Sequence, residues 1–138
     1  RGEMMMKHLF ALLLLVPGLA LATPKFGTLK DTMKELGARV KTISLQVDNS
    51  SLDTQSAALA DEVAMIADDS KTFVPDLIAQ APAGDRPAMT TQYGKMLDET
   101  RQLAIDLAAA LRSGDKVAAK DRLAKLTQNK KDGHAEFK

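Results

Sequence analysis

The chain of 138 residues has no cysteine and no tryptophan, only 4% aromatic residues, one tyrosine and two histidines. Without cysteine it gains no disulfide in any compartment and must hold together by packing, or by packing plus a ligand. The shortage of histidine and the lack of cysteine leave no thiolate or imidazole cluster for a structural metal. Neither a serine–histidine–acid set nor an acidic metal cluster is legible, so no catalytic residue is assigned. No net charge of one sign is available either: 19 basic and 18 acidic side chains nearly cancel. A basic footprint for nucleic acid is therefore not expected, because such a footprint on a neutral domain is small.

Long apolar runs are also missing. The one candidate, residues 9–16, is shorter than the roughly 20 residues that span a bilayer. It follows Lys7 and His8, precedes a Pro17-Gly18 break, and leads to Ala20-Leu21-Ala22, a small-x-small pattern. This is the grammar of a cleaved export signal. Residues 1–22 are expected to be removed, and Arg1-Gly2-Glu3 ahead of Met4 reads as upstream sequence carried in by a misplaced start. Residues 23–138 then form one exported domain, most simply periplasmic, with no membrane anchor and 17 charges of each sign. The signs are unevenly spread. Residues 44–79 carry seven acids against Lys71 alone, and residues 116–138 carry seven lysines and arginines against three acids. Acidic and basic helices facing each other or solvent account for this.

What remains is rich in Ala, Leu, Lys, Asp and Met, a helical composition with few β-branched or aromatic residues. Four helical stretches are predicted. In residues 28–47, Leu29, Met33, Leu36, Val40, Ile43 and Val47 form an a/d stripe, and Asn49-Ser50-Ser51 is a turn that can cap the next helix. Residues 52–72 place Leu59, Val63, Ile66 and Phe73 on one face and end before Pro75. Residues 75–87 hold three prolines and Gly84 and read as the longest loop. A third helix opens at Asp85-Arg86-Pro87, carries Met89, Tyr93, Met96, Leu97, Leu103, Leu107 and Leu111, and stops at Ser113-Gly114. The fourth opens at Asp115, with Val117, Leu123, Leu126, His134 and Phe137 as its apolar or partly apolar face. The first and third connections are short. An all-α, up-down-up-down antiparallel four-helix bundle is the economical architecture.

In such a bundle the first and last helices are neighbours. At about 100° per residue His134 lies about 20° from the direction of Leu123, and Met33 about 20° from Val40. Both are then expected to face the interior. Met33 lies one to two turns after the start of the first helix and His134 about one turn before the end of the fourth, so the two fall at one height. A thioether and an imidazole facing each other can clamp one haem iron from both sides. Each also has an ordinary explanation, Met33 as core filler and His134 as a cation set against a helix dipole.

The run Leu126-Thr127-Gln128-Asn129-Lys130-Lys131-Asp132-Gly133-His134-Ala135-Glu136-Phe137-Lys138 resembles the end of cytochrome b562 proteins. There, a histidine precedes a short aromatic and basic tail. Leu29-Lys30-Asp31-Thr32-Met33-Lys34-Glu35-Leu36 resembles that family's opening, with an axial methionine followed three residues later by leucine. The resemblance implies one non-covalent b-type haem with Met33 and His134 as axial ligands. It also puts Leu36, Tyr93 and Leu97 against the porphyrin, and Lys130 and Lys138 at positions where the family has arginines, the latter near a propionate. Tyr93 and Leu97 stand for two phenylalanines, and lysine offers a point charge where arginine offers a planar fork. The related cytochrome c′ proteins attach haem through Cys-x-x-Cys-His. Here Lys130 and Gly133 occupy the cysteine positions, so no thioether bond can form. Gly133 and Gly37, both glycines inside helices, offer room for a close macrocycle.

The resemblance implies one-electron transfer in the periplasm, with transient docking of redox proteins and a monomeric carrier. A haem-free periplasmic helical protein that binds partners or responds to stress is the alternative. Copper held by Met and His is a third reading, though Met65, Met89 and Met96 are not spaced as a cluster.

Overall fold

A computed structural model describes residues 24–137; the expected signal segment, 1–22, and Lys138 lie outside the described residues. Among the described residues there are helices and no strand. Four long helices pack against one another: α1 (Leu29–Gln46), α2 (Asp53–Asp69), α4 (Arg86–Ser113) and α5 (Lys116–Phe137). A single turn, α3 (Asp76–Ala79), interrupts the proline-rich connection.

The helix ends follow from local chemistry. Thr28 caps α1, its Oγ1 accepting from the Asp31 amide at 3.0 Å, which satisfies one of the unpaired donors of the first turn. Asn49 Oδ1 accepts from the Ser51 amide at 3.1 Å, so that cap serves a 3₁₀ turn, Ser50–Leu52, ahead of α2. A second 3₁₀ turn, Ser70–Thr72, closes α2 before Pro75. α4 starts with Pro87 in its first turn and ends at Gly114, whose φ of 75° is left-handed backbone that suits glycine. One residue later Asp115 Oδ1 accepts from the Ala118 amide at 3.0 Å and opens α5.

The core is a single apolar cluster with contributions from all four long helices, including Leu36, Val40, Ile43, Val63, Ile66, Leu107 and Leu126. Alanine is a large part of it. Ala57, Ala60 and Ala67 of α2 and Ala104 of α4 are fully buried, which lets those two helices approach closely. A smaller cluster of Ile78, Tyr93 and Leu97 lies apart, with Met89, Met96 and Phe137 packed on it.

Polar contacts record how the helices pair. Arg39 Nε meets Glu62 at 2.7 Å and Lys25 meets Asp69 at 2.6 Å, joining α1 and its lead-in to α2. Arg112 meets Asp61 at 2.5 Å, and Lys71 meets Asp98, joining α2 and its end to α4. Between α4 and α5, Thr100 and Asn129 share a buried hydrogen bond. At the corner where α5 begins, Lys116 Nζ donates to the Val47 carbonyl and lies 3.2 Å from Asp53. Acidic α2 thus packs mainly against α1 and α4, and an ion pair joins it to the last helix at that corner.

Three expectations differ from the structure. Val117 is 82% exposed rather than core, because it precedes the buried Ala119 by two residues, about 200° around the helix. The proline-rich connection is not a featureless loop: α3 folds back so that Ile78 is 2% exposed. His134 is exposed rather than facing the interior. The buried line of α5 runs through Ala119, Leu126, Asn129 and Gly133, and Leu123 lies at its margin toward α1. A residue aligned with Leu123 therefore emerges on the flank of the helix.

Candidate functional site

The candidate residues gather at one end of the bundle. Met33 is half-buried on α1 and packs against the main core, one turn before Gly37. Leu36 beside it is buried, 3% exposed. On α5, His134 lies one turn after Lys130, and Lys130 reaches across to α1: a Cβ placed on Gly37 would lie 3.5 Å from its Nζ. Gly37 and Lys130 thus mark where the first and last helices touch, with one candidate ligand a turn away on each. α1 and α5 pack more lightly than the other neighbouring pairs of long helices.

Tyr93 and Leu97 are buried at the same end, 5% and 2% exposed, on the side of α5 that faces α4. The Tyr93 ring meets Phe137 edge-on, with centroids 5.4 Å apart, and its hydroxyl donates to the Ser70 carbonyl at 2.8 Å. Burial pushes the Tyr93 phenol up to about 12, because taking the phenolate out of water disfavours the charged form. That ring is consequently a neutral hydrogen-bond donor tied to the end of α2. Lys138 lies outside the described residues.

Gly133 is buried, and the space its missing side chain leaves is occupied. A Cβ there would lie 2.6 Å from Met96 Sδ and 2.9 Å from its Cε, so the thioether of Met96 lies directly on the α5 backbone. Sequence reasoning had this methionine as an apolar position in α4 and, with Met65 and Met89, as one not spaced for copper. The signal was present in the pairing of a flexible side chain with a glycine, but only the facing of the two helices joins them.

The Thr100–Asn129 pair was also missed. Both residues are buried, and Asn129 lies one turn before Gly133. The Thr100 hydroxyl has one proton for two acceptors, Asn129 Oδ1 and the Met96 carbonyl. Asn129 Nδ2 lies 3.5 Å from that carbonyl as well. The three residues link the backbone at Met96 to α5.

Among the described residues no three His, Cys, Asp or Glu side chains gather as a metal site, and no helix is long and apolar enough to cross a membrane. The donors that a b-type haem would need, a thioether and an imidazole, lie on α1 and α5, each one turn from the Gly37–Lys130 contact. Leu36 belongs to the main core and Tyr93 and Leu97 to the smaller cluster, while Lys130 brings a cation to Gly37. Seating a porphyrin there would require Met96 to turn off Gly133 and His134, exposed on the flank of α5, to turn inward. No family model, curated protein or solved structure matches the chain.

Proposed function

We propose that this chain is an exported electron-transfer protein of the cytochrome b562 kind, an up-down-up-down antiparallel bundle holding one non-covalent b-type haem between Met33 and His134. The observation that carries the reading is the contact of Lys130 with Gly37. At the other end of the same pair of helices, Lys120 meets Asp48 at 2.5 Å and Lys116 meets Val47. These pairings support opposite chain directions for α1 and α5. A step of one turn back from Gly37 and one turn on from Lys130 then moves the same ~6 Å along the bundle, so Met33 and His134 come level.

A Met/His-ligated haem supplies a one-electron couple at raised potential, with no coordination position left open for a substrate. The residues of this chain do the rest. Met33 and His134 hold the group from two helices. Leu36, Tyr93 and Leu97 keep water from its faces, and Lys130, with Lys138, supplies positive charge for its carboxylates. The reading assigns no catalytic residue. Its export to a periplasm rests on the signal pattern of residues 1–22.

The test is a visible spectrum. Residues 23–138, mixed with haemin and reduced, are expected to give sharp low-spin Soret and α bands, and either Met33→Ala or His134→Ala is expected to abolish them. A spectrum no different from free haem overturns the reading. For export, the full chain produced in a bacterium is expected in the periplasmic fraction with Thr23 as its first residue.

One observation favours a second reading, a helical protein that works without haem. Met96 fills the face of Gly133, and among the described residues no buried side-chain polar atom lacks a hydrogen-bond partner. In that case the protein binds no haem, and Met33→Ala changes neither binding nor spectrum.

A further inference from the structure

The geometry points to the seam between α1 and α5 as a docking surface for an acidic patch on a partner protein. On α1, Lys30, Lys34, Gly37 and Lys41 follow one another at spacings of four, three and four, a single strip of the helix. Lys130 touches that strip at Gly37. Next to Lys130, Lys131 lines a groove between the two helices with Ser44, Val47, Leu123 and Thr127. Lys30, Lys34, Lys41 and Lys131 are exposed and Lys130 is half-buried.

What sets these five apart is that none forms an ion pair among the described residues. Most other cations do, as Lys71 does with Asp98 and Arg112 with Asp61. Away from the seam only Arg86, Lys95 and Arg101 lack one among the described residues, and Arg86 Nε donates to the Ala81 carbonyl at 2.8 Å. Positive charge without an ion-pair partner is therefore concentrated on one face of a molecule whose net charge is +1. Carboxylates of a partner would supply the missing counter-charges.

Two features favour a protein over a phosphate-bearing polymer or a membrane. All five cations are lysines, and arginine is the side chain suited to bidentate phosphate recognition. The large apolar residues lining the groove, Val47 and Leu123, are buried in its floor, and beside the strip only Leu45 protrudes, too little apolar surface for insertion into lipid. Strongly hydrated lysines on flexible stems steer encounter and release quickly, as transient docking requires. The partner's role as an electron donor or acceptor rests on the haem reading above, since the seam carries His134 at one end. The surface itself does not.

The test uses the isotope-labelled protein without haem at low ionic strength and a short polyglutamate peptide as probe. Amide shifts are expected to be confined to residues 30–44 and 120–134 and to vanish in high salt, where screening shortens to a few ångströms. Lys34→Glu/Lys41→Glu/Lys131→Glu is expected to weaken binding roughly tenfold or more, and Lys95→Glu/Arg101→Glu to leave it unchanged, with circular dichroism verifying that both variants fold. Shifts spread over all lysines, or equal loss in both variants, overturn the proposal. So does tighter binding to a short DNA duplex or to phosphatidylglycerol vesicles than to the peptide. Seam binding without a haem spectrum retains the surface and discards the electron carrier; the opposite pair of results does the reverse.

Discussion

Thr100 and Asn129 show how much a single buried polar pair can decide. Each is enclosed between α4 and α5, and each satisfies the other next to the Met96 carbonyl. Thr100→Val keeps the shape and removes the donor, leaving Asn129 Oδ1 unpartnered in a buried site. We expect a loss of about 1–3 kcal/mol in urea unfolding, the cost of stranding a buried acceptor, and a smaller further loss when Asn129→Leu is added. Tyr93 offers a cleaner reading, being the chain's only tyrosine. Its folded-state pKa of about 12 lies above the ordinary value of 10 because the ring is buried. At pH 10–12 the unfolded chain has lost a proton that the folded chain keeps, so stability falls as pH rises through that window and is undiminished below it. An ultraviolet titration of the phenol is expected to show its midpoint near 12 in folded protein and near 10 in denaturant. A folded midpoint near 10 would mean that the ring is open to water.

At the scale of the elements, the junction between α4 and α5 is the sharpest local decision. Gly114 alone separates Ser113 from Asp115, and its positive φ turns the chain while its amide bonds back to the Leu111 carbonyl at 3.2 Å. A Cβ at Gly114 meets no atom within 4 Å, so the cost of a side chain there is conformational and not steric crowding. Gly114→Ala is accordingly expected to lower stability by about 1 kcal/mol, measured as a shift of the urea midpoint at constant slope. An unchanged midpoint would show that the turn relaxes to ordinary helical backbone. The other element-level feature is the alanine face of α2. Helix propensity explains why alanine is common there, but its burial against α4 explains why the two helices lie so close.

For the whole molecule, the balance lies between a core shared by all four long helices and a lighter pairing of α1 with α5. The main cluster spans all four long helices. The end that carries Met33 and His134 depends on Met96, a pliable side chain, to fill the face of Gly133. The protein without haem is therefore expected to be fully helical and cooperative in its melting. Haem at about a thousandfold excess over its dissociation constant would add roughly 4 kcal/mol, raising the midpoint by on the order of 15 °C in a domain of this size. Paired melting curves with and without haemin decide between the two functional readings, since a haem-free binder leaves the curves superimposed.

The helices themselves were legible residue by residue. The a/d stripe from Leu29 to Val47, Pro87 in a first turn and Gly114 after a last one are statements about local backbone and periodicity, and local physics is all they require. The same holds for the shared-strip spacing of Lys30, Lys34 and Lys41. Burial was less legible where it depends on which side a neighbour takes. Leu123 was a good guide to the inward direction of α5 only if it sat at the centre of the buried face, and it sits at the edge, which turns His134 outward and leaves Val117 in solvent. Ile78, Asn129 and the seating of Met96 on Gly133 likewise arise from the way separate segments meet. Short-range order follows from each residue's own conformational preferences, whereas facing and contact belong to pairs of residues far apart in the chain and exist only once the helices have packed.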